Sequence, residues 1–446
     1  VWAEADVLVV GGGPAGFAAA VAAGNIGCRT LLVERYGFLG GMATAALVMP
    51  WNVWAKPVTS KDIGGVFAAL VGELVKMKGT IQPAKATVLR NFDPEILKVV
   101  MDRIISKANV RVLFNTLATG VLVYGENVKG VVFHNKAGRG VIICKYIIDA
   151  TGDGDVAVQA GADFEGGSKD GAQPGTLIFK MAGVNIDLLT KFLKQNKSNI
   201  GNWPPSDEMR FGDSGQFICT TGFSELLDEA KKAGCGLPVD QLIICSTPNP
   251  GTVTVNVTKV YGIDVDNPWK MTEAEISARE QAIAGRDFLI KYVPGFEESY
   301  LSEMAIQMGV RESRRIAGEY TLNNEEIQAG REFDDRVARL FNVGHLDFSG
   351  KDALGRRTTK FSYLAKDLQI PYGSLVVRNL ENLSVAGRCI SCTREAFGLI
   401  RTQTACYATG QAAGTAAALA ALKGISLRDI NIKDIQGRLK EDGIVL

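Results

Sequence analysis

The sequence predicts an α/β fold: a mostly parallel sheet that cradles a dinucleotide, extended by a β-meander and interrupted by a smaller α+β insertion. Three observations carry that expectation. Val7-Leu-Val-Val10 is a short, largely β-branched run suited to a buried parallel strand, and it leads into Gly11, Gly13 and Gly16 in GxGxxG spacing. Alanine-rich Phe17 to Ala23 then reads as a helix, and Arg29-Thr-Leu-Leu-Val-Glu34 as a second strand that ends in an acid. Two further apolar strands run into small-residue turns, at Ala150-Thr151-Gly152-Asp153 and at Ala386-Gly387-Arg388.

Each glycine of the first turn has a physical reason. Gly11 permits the tight turn, Gly13 lets backbone approach a pyrophosphate, and Gly16 lets the helix pack on the strand. Pro14 and Ala15 of the turn are assigned to cofactor binding with these glycines, and the helix that follows faces the phosphates with its positive N-terminal end. Glu34 follows Gly16 by 18 residues, where a carboxylate binds a ribose hydroxyl. The uncharged stretch Val7 to Cys28 is long enough to span a membrane, but Gly11-Gly12-Gly13-Pro14 breaks a helix at its centre. A second uncharged run, Thr402 to Leu422, carries Gly410 and Gly414 in GxxxG spacing. It is rich in alanine rather than leucine and interrupted by Gln403 and Gln411, so it reads as a buried helix packed closely on a sheet.

The chain has 446 residues with 49 basic and 48 acidic side chains, which excludes a basic nucleic-acid footprint. At 46% hydrophobic it can bury large cores, and its eight cysteines lack the density of a disulfide scaffold. That usage points to a reducing, cytoplasmic setting, although the opening Val1 leaves a processed N-terminus open. No membrane span is expected, and a homo-oligomer is compatible with the sequence.

Asp93-Pro94-Glu95 is a helix start, with Asp as N-cap and Pro in the first turn, and the helix runs to about Lys107. Three short strands near 118–124, 128–134 and 139–145 follow, before the strand that ends in Ala150-Thr151-Gly152. Thr272 and Glu275 form a capping box for a helix through about Tyr292. Arg311, Arg314 and Arg315 fall on one face if their segment is helical. The expected division is a discontinuous nucleotide domain, 1–165 and 373–446, around an inserted substrate-side cap, 166–372. No second GxGxxG with a following acid is visible, so a built-in NAD(P)H domain is not expected.

Segments Glu34 to Thr44, "YIIDATGDGDVA", "QPGTLIFKMAGV", "GVRESRRIAGEY" and "LSVAGRCIS…GQAAGTAAAL" together resemble FAD-dependent oxidoreductases with a glutathione-reductase-like FAD domain, related to the fumarate reductase and succinate dehydrogenase flavoproteins. The resemblance covers nearly the whole chain. It implies FAD as cofactor and assigns Arg35, Gly40, Gly41, Met42, Ala118, Thr151, Gly152, Asp153, Gly387, Arg388, Gln403 and Thr404 to its binding, beside the residues of the first turn and Glu34. No histidine or cysteine stands in Gly40 to Thr44, so noncovalent FAD is expected.

The implied reaction is hydride transfer between flavin N5 and a small organic molecule, polar and carboxylated ones included. The sequence does not specify the external electron acceptor or donor. The start of the helix from Arg401 to Ala421 supplies positive potential for the reduced flavin, and Arg401 adds a charge there, unless it is a surface arginine. Of the two histidines, His134 reads as structural. His345, with Asp347 two residues on, is the general acid/base candidate against a plain loop histidine. Cys389 and Cys392 form a CxxC, but disulfide-reducing relatives carry their pair early in the FAD domain. Where the family implies a small residue at 392 and often a histidine at 394, this chain has Cys392 and Arg394. Two alternatives stand beside the hydride-transfer enzyme: a dithiol/disulfide flavoenzyme using Cys389 and Cys392, and a flavin-bearing electron-transfer subunit.

Overall fold

The computed structural model describes the chain apart from residues 52–63, 83–89, 167–171, 205, 213–214, 341–343, 352–356 and 365; for 344–351 and 357–363 it describes backbone only. Strand β1 (Ala3–Val10) buries its last four residues, as a strand covered on both faces must. It passes through the glycine turn into helix α1 (Pro14–Ile26) and returns as β2 (Thr30–Val33). Helix α2 (Pro94–Lys107) begins where the sequence places it, because the Asp93 carboxylate accepts from the Glu95 and Ile96 amides. Strands β3 (Arg111–Leu113), β4 (Leu117–Tyr124), β5 (Asn127–Asn135) and β6 (Gly138–Asp149) follow.

β6 corrects one expectation. The sequence reading separates a meander strand near 139–145 from the strand reaching Ala150, but no turn residue interrupts the run, so it forms one long strand. Gly138 to Ile143 pair antiparallel with β5, and Ile142 to Asp149 pair parallel with β1, from Ala3↔Ile142 to Val10↔Asp149.

A second layer is an antiparallel sheet built from β7 (Phe179–Ala182), β8 (Cys219–Gly222), β9 (Leu242–Ser246) and β10 (Val253–Asn256). Helix α3 (Pro268–Tyr292) packs on it, and β11 (Tyr300–Met304) completes it in the order β8-β9-β10-β7-β11. A Cβ at Gly285 of α3 would lie 2.6 Å from Val257, so the small residue sets the close approach of this helix. The capping-box reading of α3 is overturned. Asn267 caps the helix by accepting from the Trp269 and Lys270 amides, and Pro268 fixes the first turn, one turn before Thr272. The Thr272 hydroxyl donates back to the Pro268 carbonyl, and Glu275 instead accepts from the Met308 amide.

Strand β12 (Arg314–Ile316) corrects the helical reading of the arginine cluster. It pairs antiparallel with Phe164–Gly166, so successive side chains alternate instead of sharing a face. Arg314 pairs with Asp155 and Asp266, whereas Arg315 is buried against Glu312 at 3.2 Å.

A hairpin of β13 (Gly344–Lys351) and β14 (Arg357–Tyr363) precedes β15 (Leu383–Val385), helix α4 (Arg394–Ile400) and helix α5 (Gln403–Lys423). The main sheet runs β3-β2-β1-β6-β5-β4, with β15 joining β6 in parallel. One core spans both chain ends and takes in Ile316 to Tyr372, and the second gathers Ala172 to Met308. Gly410 and Gly414 lay α5 on α1: a Cβ there would lie 2.0 and 2.1 Å from the Ala15 and Ala19 carbonyl oxygens. The GxxxG run therefore packs helix on helix. Among the described residues no helix is long and apolar enough to cross a membrane.

Candidate active site

The parallel strands end together at Val10, Val33, Leu113, Asp149 and Val385, and a cleft of about 270 Å³ opens beside those ends. Gly11 turns there with φ near +100°, which a side chain rarely tolerates. Gly16 packs so tightly that a Cβ would lie 1.7 Å from the Gly11 carbonyl oxygen. At Gly13 the nearest atom to a Cβ is 3.9 Å away, so its backbone stands open to the cleft. Helix α1 starts with no side-chain cap and no acid in its first turn, which leaves its N–H groups and dipole for an anion.

Glu34 lines one end of the cleft. Its carboxylate accepts from the Gly12 amide at 2.5 Å and the Tyr36 amide at 2.9 Å, which fixes its aim. Burial raises its pKa against the pull of those two amides. Thr116, Leu117 and Ala118 flank that end, and Arg35 reaches Gln307 at 3.1 Å.

The wall beyond α1 is the Thr151-Gly152 turn. The fully buried Asp149 carboxylate accepts from the Thr151 amide and hydroxyl and from the Ala157 amide, so Asp149 positions the turn. Asp153 forms an ion pair with Arg388 at 2.6 Å and accepts from the Ser313 hydroxyl at 2.6 Å. Burial works against its charge, but the Arg388 charge and these hydrogen bonds outweigh it and hold the carboxyl below its ordinary pKa.

Two further cations line the cleft close enough to feel each other. Arg401 caps α4, just before α5 begins, and lines the cleft with Arg311. Arg311 donates to the Pro174 carbonyl at 2.5 Å and to the Thr176 hydroxyl. Burial, and then the Arg401 charge, push Arg311 down to about 9, and burial brings Arg401 down to about 10. The Arg401 Nε is buried without a hydrogen-bond partner. Glu312 does not neutralise this pair fully, being shared between Arg315 at 3.2 Å and Arg394 at 3.4 Å.

Of the residues assigned from sequence, Gly11, Gly13, Pro14, Ala15, Glu34, Arg35, Gly41, Met42, Ala118, Thr151, Gly152, Gly387, Arg388, Gln403 and Arg401 line this one cleft. Gly16, Gly40, Asp153 and Thr404 do not line it. Gln403 is held by Trp51, whose Nε1 donates to it at 2.7 Å, and by the Val48 carbonyl. His345 lies in β13, whose side chains fall outside the described residues. Sequence reasoning missed Asp149 and the cleft residues Thr176 and Asn256. Asp149 carried a usable signal, an acid closing an apolar strand; Thr176 and Asn256 carried none. The CxxC thiols of Cys389 and Cys392 are both buried, and no sulfur–sulfur contact joins them.

A glycine-turn cleft at the ends of parallel strands, with an acid just past the second strand, defines a Rossmann-type dinucleotide-binding fold. Residues 6–439 match the FAD dependent oxidoreductase family, and the chain belongs to that family. FAD is therefore its cofactor, and the protein is an oxidoreductase. A 151-residue segment, 32% of this chain, is 30% identical to sarcosine oxidase subunit alpha of Corynebacterium sp. (strain P-1) and spans 15% of that subunit. In fold, the chain is similar to p-nitrophenol 4-monooxygenase from Pseudomonas putida DLL-E4, with a TM-score of 0.52 at 12% identity over 98% of this chain and 84% of that one.

The residues fit FAD: the backbone at Gly13 is open, the α1 N-terminus is unfilled, and Glu34 is aimed by two amides. Glu34→Ala is expected to weaken FAD retention about 10- to 100-fold, because it removes the ribose acceptor and orphans one buried and one half-buried amide of the turn, a loss of about 1–3 kcal/mol. Dilution of the holoprotein and fluorimetry of released flavin measure it; unchanged retention would remove Glu34 from the site.

Proposed function

We propose that the protein transfers a hydride between FAD and a small organic anion held beside Arg401 and Arg311 in the cleft. One observation carries this reading: Arg401 is a half-buried cation lining the cleft, and its Nε is buried without a partner. A desolvated guanidinium whose nearby acid, Glu312, is engaged by Arg315 and Arg394 is costly, and an incoming carboxylate offsets that cost. When bound, FAD accepts or donates the hydride at N5. Arg401 and Arg311 orient the anion and offset negative charge. The cleft takes FAD without a covalent anchor, so denaturation is expected to release FAD intact, and not FMN.

His345 is the proton donor or acceptor of this reading. The support is backbone placement: β13 runs beside α4, the helix that ends at Arg401. His345→Asn is expected to lower turnover about 100-fold with FAD retained. Activity within a few-fold of wild type would end that role. Cys389→Ser with Cys392→Ser is expected to leave turnover within a few-fold, since burial pushes both thiols up and they do not meet. Complete loss with FAD bound would favour the dithiol reading.

The reading as a whole is tested anaerobically with small carboxylic acids and their neutral amide or alcohol counterparts. The holoenzyme is mixed with each in its oxidised state, and again after prior reduction. An acid is expected to bleach the flavin or restore its colour at least ten times faster than its neutral counterpart. Equal rates for both sets would remove the anion from the proposal.

A further inference from the structure

We propose that Cys219 and Cys245 form an intramolecular disulfide that locks strand β8 to strand β9. The two residues stand directly opposite each other in the antiparallel register. The neighbouring Ser246 amide donates to the Ile218 carbonyl at 2.7 Å, which makes 218 and 246 a hydrogen-bonded pair. Cys219 and Cys245 therefore form a non-hydrogen-bonded pair. At such positions facing Cα atoms approach to about 4.5 Å, within the roughly 4.4–6.8 Å that a disulfide spans. Their Sγ atoms lie 2.7 Å apart, closer than two sulfur atoms that share no bond can rest.

The surroundings favour a bridge over other uses of two thiols. Both cysteines are buried beside Trp203 and Phe217. Burial, and then the neighbouring Cys245, raise the Cys219 pKa, so the folded site does not sustain the thiolate a redox catalyst needs. No group of three or more metal-ligating side chains occurs among the described residues, which sets a metal centre aside. The bridge closes a loop that contains the helical segment Ser224–Lys232, outside the cleft lining.

Because the folded pair is sealed from solvent, the bond forms while this sheet is still opening and closing. The Cys219 thiolate attacks a small-molecule disulfide, forming a mixed disulfide and releasing one thiol. The Cys245 thiolate then attacks the Cys219 sulfur, closing the bridge and releasing the second thiol. The chain loses two electrons and two protons, and the small disulfide gains them. The redox poise of the compartment sets whether the bridge forms, whereas the sparse cysteines alone point to eight free thiols.

The test counts thiols. Holoprotein refolded with FAD in a mixture of oxidised and reduced glutathione is denatured in iodoacetamide and weighed intact. Six of the eight cysteines are expected to be alkylated, with one linked peptide pair carrying residues 219 and 245. Eight alkylated cysteines, or a bridge between any other pair, would overturn the proposal. Cys245→Ala keeps the test decisive: with FAD retained as evidence of folding, all seven remaining cysteines should alkylate. Dithiothreitol should lower the denaturation midpoint of the refolded wild type and leave that of Cys245→Ala unchanged. An equal response in both would mean that the pair is not bridged.

Discussion

Replacing Arg401 with alanine is expected to lower turnover about 10²- to 10³-fold, the usual cost of removing one group that stabilises developing charge in a dry site. FAD should stay bound, because in the proposed arrangement the dinucleotide rests on the glycine turn and Glu34, which this substitution leaves intact. With its pKa near 10, Arg401 remains protonated at neutral pH despite its burial. Two-electron reduction adds negative charge to the site, so losing this cation should also move the midpoint potential of bound FAD downward. Stability should move the other way or not at all. The wild type carries a buried, incompletely partnered charge, and alanine relieves that desolvation. Steady-state kinetics, redox titration and thermal unfolding on one preparation separate the outcomes. A lower melting temperature with an unchanged potential would mean that Arg401 is structural.

What was legible in the sequence was what backbone geometry demands locally. A turn at φ near +100°, a helix touching a carbonyl oxygen and an acid closing a strand each permit few residue types, and these are adjacent in sequence. The arginine cluster was not legible, because its conformation is decided from far away. Arg314 to Ile316 extend by pairing with Phe164–Gly166, about 150 residues earlier, and five mostly charged residues carry no hydrophobic period to announce it. Asp153 shows the same limit from the site's side. The motif marks it as a cofactor residue, yet it does not line the cleft and holds Arg388, which arrives in the turn after β15, 235 residues later. The helix start at Asn267-Pro268 is a local signal, an Asn cap with Pro in the first turn, and it outweighs the Thr272–Glu275 pattern one turn inside.

The Asp153–Arg388 link sets up the other large expected effect. Asp153→Asn should destabilise the holoprotein by about 3–5 kcal/mol, the cost of leaving one partner of a buried ion pair uncompensated. The side chains are 20% and 12% exposed, so solvent screens the pair little. The Ser313 hydroxyl donates to the same carboxylate oxygen and accepts from Arg388 at 2.8 Å, closing a triangle that asparagine can fill in shape but not in charge. That triangle joins the Gly152 turn to the Gly387 turn, both of which line the cleft, so FAD retention should fall with stability. The pH dependence follows from the direction of the shift. A carboxyl whose pKa is lower folded than unfolded contributes stability that is complete above the unfolded value, about 3.9, and is lost as pH falls through the lower folded value. Wild-type stability should therefore drop below about pH 4, whereas the Asp153→Asn protein, already lacking this contribution, should show a shallower decline there. Thermal unfolding of both holoproteins between pH 3 and 7 decides the matter, and parallel curves would mean that the ion pair adds nothing to the site.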